Sequence, residues 1–463
     1  MVAVITDNFK RNIIDQIIDD VDSTGVSYYV AVGRSENWDS VDAAPTPLNS
    51  LRDIRNFRLS MQSMKLGEDV SFVIPRHNWS SGTVYDAFDD AVQGYPTNSF
   101  YVVTDELQVY ICLQQGKNSS GIAVNSTVKP TGTGINPLST ADGYVWKYLY
   151  SISSASANKF QSSNFSPVEF IKPEADSTGL TIQQLSQRTI QEGAIRGQVI
   201  GVEITNGGTG YTSTPNVTFT GNGSYSPSAT AVVSGGEVVN ITMNDSGAGK
   251  AFGRGYDYAS VVITGGGGAG AKARAVLSPE RGIGGDPRDD LKSTAVMFNS
   301  KLIGPEGNNF VIGNNFRQVA LIKNPLVGPD SGDSAYTGQS ANTLRTLKLS
   351  SVSEQFTIDK TIQGATSQAK GFIDRVDSNR LYFHQSEETG FADFQEGETI
   401  SEIDGSGAGS LDSAGADTNT HAWDSAEVDF RSGDILYIDN RACLLYTSPS
   451  PRDLSTSRMP SSA

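Results

Sequence analysis

The sequence predicts a mainly β protein (β-rich α+β), in which a β-sandwich-like host domain with a few short helices is interrupted by Gly-rich β modules. Three observations lead to this fold class. The 48 glycines stand beside Thr, Ser and Val, as in turn-dense β structure. Several short aliphatic and aromatic runs end at glycine or proline. A Gly-rich segment in the middle of the chain repeats itself at the scale of one supersecondary unit.

The N-terminal part predicts two helices and two strands. Apolar residues recur at helical spacing over Phe9–Ile18, with Asp7 as N-cap and Asp15, Asp19 and Asp20 on a solvated face. Ser27–Val32 is typical of a strand. A second helix is expected over Leu51–Lys65, with Leu51, Ile54, Met61 and Met64 facing inward and Gly67 as its stop. Val70–Ile74 is expected to be a strand that Pro75 ends.

A hairpin and an aromatic strand follow. Ser99–Val103 and Gln108–Leu113 are expected to pair across the turn Thr104–Glu106. Tyr144–Tyr150 (YVWKYLY) predicts a strongly aromatic strand, and Arg380–Phe383 predicts another strand much later in the chain.

The Gly-rich segment contains two copies of one pattern. The echoed pieces are Gly210-Tyr211 with Asn216–Gly221 against Gly255-Tyr256 with Ser260–Gly265, and Ala231–Ser234 against Ala275–Ser278. We interpret the pair as a small inserted β domain.

Changes of composition along the chain predict its domains. The predicted divisions are the first host part at 1–196, the inserted Gly-rich domain at 197–280, the continued host at 281–346, a second inserted β module at 347–414, and the truncated host end at 415–442. Residues 443–463 resemble the translation of a sequencing adapter, so we expect them to be an artefact; the alternative is a natural disordered Ser/Pro tail.

Composition argues against several functional classes. The hydrophobic fraction of 37% is ordinary for a folded protein, and the net charge of −16 disfavours binding to nucleic acid or an anionic membrane. No apolar run approaches the roughly 20 residues that span a bilayer, and Met1–Asp7 shows no secretory signal. With only Cys112 and Cys443, a reducing cytosol is expected rather than a disulfide framework.

The residue patterns predict no catalytic, cofactor-binding or metal-binding site. His77 is interpreted as a satisfied turn histidine, and His384 and His421 as solvated. Cys112, in the middle of an apolar strand, is interpreted as a buried free thiol. The Cys and His residues show no metal-ligand spacing, and no acidic loop has calcium-binding spacing.

Two Gly-rich motifs have part of the spacing of nucleotide-binding loops. Gly265-x-Gly267-x-x-Gly270 matches the dinucleotide fingerprint in spacing, but the internal repeat predicts a strand after it, so we expect a β turn. Gly247–Lys250 lacks the upstream glycine and the Ser/Thr of a phosphate loop.

Five dispersed stretches resemble one family of phage proteins. They are Gly33–Trp38 (GRSENW), Val73–Trp79 (VIPRHNW), Asp142–Tyr150 (DGYVWKYLY), Phe316–Leu326 (FRQVALIKNPL) and Gly433–Arg441 (GDILYIDNR). In this order they resemble the baseplate wedge subunit known as gene product eight of T-even-type contractile-tailed bacteriophages. The resemblance covers roughly 1–195, 281–345 and 420–441. The two insertions are not part of the family pattern, and Ala442 replaces a proline of the family.

The resemblance implies a non-enzymatic virion protein that is assembled in the bacterial host cytoplasm. It implies a homodimer that contacts other wedge subunits during tail assembly and contraction, with no cofactor and no small-molecule substrate. Large aromatic and guanidinium groups suit such a role, so the interface or structural candidates are Arg34, Trp38, Arg76, Trp79 and Trp146.

Two other functions stay open. A receptor-binding or fibre-type tail protein would be a trimer, with a glycan-binding cluster among Tyr211, Tyr225, Tyr256 and Tyr258. A polysaccharide-degrading enzyme would need a carboxylate pair in a cleft, which the sequence neither shows nor excludes.

Overall fold

The computed structural model describes residues 6–23, 25–36, 50–173, 177–244, 252–300, 316–327, 335–386, 388–413, 420–421, 428–429 and 436–439. It is 40% strand and 14% helix, which confirms the mainly β class. The chain forms two compact units. The first contains Met1–Ile17 and Ser71–Met297, and the second contains Ile18–Val70 and Phe298–Ala463. The domain boundaries given above remain predictions.

The regular elements are short and mostly strands. The helices are α1 (Asp7–Asp22), α2 (Leu51–Ser60), α3 (Ser154–Phe160), α4 (Ile182–Glu192) and α5 (Pro287–Asp290), with a 3-10 turn at Ser177–Gly179. The strands up to residue 299 are β1 (Tyr28–Gly33), β2 (Met61–Leu66), β3 (Asp69–Pro75), β4 (Tyr101–Val103), β5 (Gln108–Gln114), β6 (Leu138–Ser139), β7 (Val145–Ser151), β8 (Phe165–Pro167), β9 (Val199–Thr209), β10 (Asn216–Gly221), β11 (Ala229–Ser234), β12 (Glu237–Met243), β13 (Ala259–Thr264), β14 (Ala269–Leu277) and β15 (Ala295–Asn299). The later strands are β16 (Gln318–Lys323), β17 (Leu326–Val327), β18 (Ser340–Asn342), β19 (Arg345–Glu354), β20 (Thr361–Gly364), β21 (Lys370–Asp377), β22 (Arg380–His384), β23 (Thr399–Glu402), β24 (Ala408–Leu411), β25 (Thr420–His421), β26 (Val428–Asp429) and β27 (Leu436–Asp439).

The second predicted helix is wrong in its second half. Helix α2 begins after the N-cap Ser50 but ends at Ser60, and Met61–Leu66 is the strand β2. β2 pairs antiparallel with β1, so its backbone groups bond to a neighbouring strand instead of continuing the helix. Met61 and Met64 are buried as predicted, whereas Leu51 is exposed.

The first helix also departs from its predicted faces. Thr6, not Asp7, provides the side-chain oxygen that accepts the N–H of Phe9. Within the predicted apolar face Ile14 and Ile17 are buried, but Phe9 and Ile13 are exposed. The acidic face is not simply solvated, because Asp15 is paired with an arginine of the first unit and Asp20 with Lys323 of the second.

The first unit has an aromatic core built on the strand order β4-β5-β7-β6. The predicted hairpin is present, with Val103 opposite Val109. Tyr144, just before β7, and Trp146 in β7 are two positions apart on one face, and their rings stack with centroids 5.6 Å apart. On the other face the Lys147 Nζ donates to the carbonyl of Ile283 at 2.8 Å.

The Gly-rich segment forms its own sheet, in the order β10-β13-β14-β9, with the hairpin β11-β12. The two copies of the repeat lie side by side, because β10 pairs antiparallel with β13 from Asn216↔Thr264 to Gly221↔Ala259. A positive φ explains the glycine of the Gly–Tyr combination in both copies, because Gly210 has a φ of 78° and Gly255 a φ of 77°, which other residues rarely adopt.

The second unit contains a five-stranded sheet and a small barrel. The sheet order is β18-β2-β1-β16-β27, and all six residues of β1 are buried, as expected for its central strand. In the barrel, antiparallel pairings run from β22 through β21, β20, β23 and β24 to β19, and β19 pairs with β22 again. This ring of six strands encloses a core that includes Leu347, Ile362, Ile373, Phe383 and Ile400.

The barrel holds a duplication that sequence analysis missed. Phe356 and Thr361-Ile362 recur as Phe394 and Thr399-Ile400, and the strands concerned, β20 and β23, pair with each other. The buried rings of Phe356 and Phe394 belong to the same core.

Candidate functional site

Two of the predicted candidates, Arg76 and Trp79, lie together just after β3. Hydrogen bonds hold this segment against its neighbours: the Arg76 N–H donates to the carbonyl of Asn164, and the Trp79 N–H donates to the carbonyl of Val103. The N–H of Val103 in turn donates to the carbonyl of His77 at 2.8 Å. Residues 76–79 therefore continue along the end of β4 after Pro75 has ended the strand.

These residues line an open cleft of about 420 Å³, the "Trp79 cleft", on the first unit. Its lining is Arg76, Asn78, Trp79, Val103, Thr104, Asp105, Leu107 and Lys129. It thus combines a half-buried indole and two aliphatic side chains with two cations, one acid and one amide.

The polar groups of the cleft are oriented by hydrogen bonds. The Arg76 Nε donates to Asn78 Oδ1 at 2.8 Å, and its Nη1 donates to the carbonyl of Ser162 at 2.9 Å. The Trp79 Nε1 donates to Ser126 Oγ at 3.1 Å. At the rim, Lys129 Nζ lies 2.7 Å from Asp105 Oδ1, and the hydrogen bond lowers the pKa of that carboxyl. A preorganised cleft of this kind suits a side chain that is apolar at one end and polar at the other.

The other predicted candidates lie elsewhere. Trp146 is fully buried in the core of the first unit, and its Nε1 has no hydrogen-bond partner among the residues that the structure describes. Trp38 lies outside the described residues. Arg34 belongs to the second unit, where it adopts a left-handed φ of 50° and its Nη2 donates to Glu388 Oε1 at 2.8 Å.

A second constellation surrounds His384, and it corrects the prediction that this histidine is solvated. The imidazole is 1% exposed and lies between two carboxylates. Its Nδ1 is 2.6 Å from Asp374 Oδ2, and its Nε2 is 2.5 Å from Glu36 Oε2. Asp374 Oδ1 also accepts hydrogen bonds from Ser35 Oγ and Gln62 Nε2, at 2.6 and 2.7 Å. We call these five residues the His384 cluster.

In the His384 cluster, mutual attraction outweighs the effect of burial on the pKa at His384 and Glu36, but not at Asp374. Burial alone would lower the pKa of His384, but Asp374 and Glu36 raise it to about 10. Burial would likewise raise the pKa of Glu36, but the hydrogen bond and charge of His384 lower it to about 2. Burial raises the pKa of Asp374.

The His384 cluster does not have the geometry of a hydrolase triad. Ser35 donates its hydroxyl proton to Asp374 rather than to the imidazole, and both imidazole nitrogens already face carboxylates. No ring nitrogen is therefore directed at a nucleophile.

The predictions for the remaining histidines and Cys112 are confirmed only in part. His77 packs edge-on against Tyr101, but its Nε2 is buried without a partner in the described part of the chain, so it is not satisfied as predicted. Only the backbone of His421 is described. Cys112 is buried as predicted, and burial raises the pKa of its thiol well above the usual value.

The dinucleotide-like motif is a turn, as predicted. Gly265–Gly268 joins β13 to β14, and β14 is a strand that pairs with β9 rather than a helix. Gly247–Lys250 lies outside the described residues.

The charged turn at α5 was not predicted from the sequence. Arg288 is 9% exposed, and its guanidinium forms two hydrogen bonds with Asp286 and contacts Asp15 of α1. The only local signal was Asp286 before Pro287, an N-cap followed by proline at the first helical position.

Comparisons with known proteins add no family. No family model matches the chain, and no curated protein matches it significantly.

Across the described ranges, no group of three or more His, Cys, Asp or Glu side chains is arranged to hold a metal ion. None of the helices described is both long and apolar enough to cross a membrane.

Proposed function

We propose that this chain is a structural subunit of the baseplate wedge of a contractile phage tail, which acts through protein–protein assembly during tail morphogenesis and contraction. The proposal rests on the five collinear stretches that resemble the wedge family. The observation that carries it furthest is that one of these stretches, Val73–Trp79, lines the Trp79 cleft with Arg76 and Trp79.

The cleft has the composition of an assembly contact. Trp and Arg are the residue types that most often dominate the energy of protein interfaces, particularly where they line a formed pocket with a polar rim. Trp79 and Arg76 are already held by Ser126 and Ser162, so little side-chain freedom is lost when a neighbouring subunit binds. The proposed occupant is a side chain of a second copy or of another wedge subunit.

The first test is the solution mass of the full chain by light scattering on a sizing column. The proposal expects a dimer, at twice the chain mass of 49.3 kDa. A stable trimer would overturn the wedge assignment and favour the fibre-type alternative.

A charge reversal then tests the cleft itself. Arg76→Glu should raise the dissociation constant of the dimer, or lower the amount of wedge subunit that co-purifies, by tenfold or more. The reason is that it places a carboxylate beside the Asn78 and Ser162 oxygens. Arg196→Glu is the matched control, because Arg196 is 65% exposed in the same unit, where surface ion pairs contribute little. Equal effects of the two variants, with circular dichroism unchanged, would remove the cleft from the proposal.

One observation favours the receptor-binding or fibre-type alternative. Tyr225 and Tyr258 are 54% and 62% exposed, and Asn222 joins their loops by accepting the N–H groups of Asp257 and Tyr258. Tyr211 and Tyr256 are buried, so the predicted cluster reduces to two rings. Specific binding to a glycan array that is lost in a Tyr225→Ala, Tyr258→Ala double variant, together with a trimeric mass, would support this alternative.

A further inference from the structure

The His384 cluster joins the barrel to the five-stranded sheet of the second unit. His384 and Asp374 belong to the barrel strands β22 and β21, whereas Gln62 belongs to sheet strand β2. Ser35 and Glu36 lie in the turn after sheet strand β1, inside the GRSENW stretch. The polar contacts of the cluster therefore cross between two parts of the unit that otherwise have separate apolar cores.

Hydrogen-bond geometry indicates how many protons the His384 cluster holds. An ionised carboxylate only accepts hydrogen bonds, and a neutral imidazole has only one N–H. Both imidazole nitrogens lie within 2.6 Å of a carboxylate oxygen, and Asp374 already accepts from Ser35 and Gln62. An imidazolium that donates to two carboxylates satisfies all of these contacts.

We propose that the turn Arg34–Glu36 clamps the barrel to the sheet through a shared His384 imidazolium, so that the protonation of His384 controls whether the barrel stays docked. Removing the imidazole proton leaves one buried carboxylate facing a nitrogen lone pair, and the two cannot hydrogen-bond. Breaking one partner of a buried ion pair is strongly destabilising, because the remaining charge cannot be solvated.

The charges of Arg34 and Glu388 strengthen the clamp on the Glu36 side. The Arg34 Nε lies 3.8 Å from Glu36 Oε1, and the Arg34 Nη2 bonds to Glu388, which follows β22. Among the residues that the structure describes, the charged groups acting on His384 itself are Asp374 and Glu36, and the Phe372 ring covers it with centroids 5.4 Å apart. This second contact, from Arg34 to Glu388, also runs from the turn after β1 to the barrel side.

The clamp has a defined pH range. Since the pKa of His384 is raised to about 10 from about 6.5, its contribution is complete below about pH 6.5 and is lost as the pH rises through 10. Since the pKa of Glu36 is lowered to about 2, its contribution is complete above its ordinary value and is lost only as the pH falls through 2. At neutral pH the clamp is closed, and alkali opens it.

Nitrogen NMR of the unaltered, 15N-histidine-labelled protein tests the protonation directly. At pH 8 the signals of His384, assigned by their loss in His384→Gln, should show both ring nitrogens protonated. His77 is an internal control, because burial lowers its pKa and it should be neutral at this pH. A neutral tautomer of His384 at pH 8 would overturn the proposal.

Hydrogen exchange tests the docking. Glu36→Gln should speed amide exchange around Asp374 in β21 and at the His384 end of β22 by about tenfold or more, while the β20–β23 pairing in the barrel stays protected. Glu354→Gln, an exposed change on β19 of the same barrel, should leave both regions unchanged. Unchanged exchange in Glu36→Gln, or loss of protection throughout the barrel, would refute a docking clamp.

Discussion

The buried Arg288 offers a sharp test of the charged turn at α5. Its guanidinium makes a two-pronged contact with Asp286, with Nε–Oδ1 at 2.9 Å and Nη2–Oδ2 at 2.8 Å. Its remaining Nη1 reaches Asp15 of α1, and its Cζ lies 3.7 Å over the ring of Phe170. One side chain therefore connects α5, α1 and the segment after β8, all in the first unit.

Two substitutions separate the charge from the forked geometry. Arg288→Met removes the cation and leaves the buried Asp286 without it, so the free energy of unfolding should fall by about 3–5 kcal/mol. Arg288→Lys keeps the charge but cannot form the planar fork, so it should lose about one charged hydrogen bond, or about 1.5–3 kcal/mol.

Urea unfolding followed by circular dichroism measures both effects. With a slope of about 2–3 kcal/mol per molar urea, Arg288→Met should lower the midpoint by about 1–2.5 M. Adding Asp286→Asn to Arg288→Met should cost much less than the sum of the two single changes, because the pair acts as one group. A loss below about 0.5 kcal/mol for Arg288→Met, or full additivity, would refute this account.

Three further outcomes are expected. Trp146→Ala should destabilise the first unit by about 3–5 kcal/mol in the same urea assay, and Trp146→Phe by clearly less, because the indole Nε1 has no hydrogen-bond partner to lose among the described residues; equal losses would contradict this. In a Cys443→Ser background, Cys112 should react with a thiol reagent only after denaturant unfolds the chain, since it is buried and its thiol pKa is raised; rapid reaction of the native protein would contradict the buried position. The gap in melting temperature between the unaltered chain and His384→Gln should be largest below pH 6.5 and shrink as the pH rises toward 10; a gap independent of pH would argue against the imidazolium.

Local patterns predicted much of the fold. The hairpin around Thr104–Glu106, the aromatic strand at Tyr144–Tyr150 and the strand nature of the repeat copies depend on neighbours along the chain, and all are present. The helix expected over Leu51–Lys65 failed in its second half, where Met61 and Met64 have helical spacing but lie in a strand. Pairing with β1, which no local pattern reports, made it a strand.

For the candidate residues too, the sequence predicts one part of the site and only the folded chain supplies the rest. Arg76 and Trp79 could be proposed from their stretch alone, but only the folded chain brings Lys129 and Asp105 to the same cleft. The charged turn at Asp286–Asp290 was overlooked because a run of charges is ordinarily solvated. Burial of Arg288 depends on Phe170 and Asp15, which lie far from it in the sequence.

The sequence by itself determined the β-rich class, the Gly–Tyr repeat and the position of the aromatic strand, because side-chain periodicity and turn residues act over a few positions. Only the tertiary structure decided that His384 is a buried ionic partner rather than a solvated side chain. Glu36 and His384 are separated by 348 residues, and the pairing arises where the turn after β1 meets the barrel. Whether a charge is buried and compensated depends on surfaces that meet only after folding.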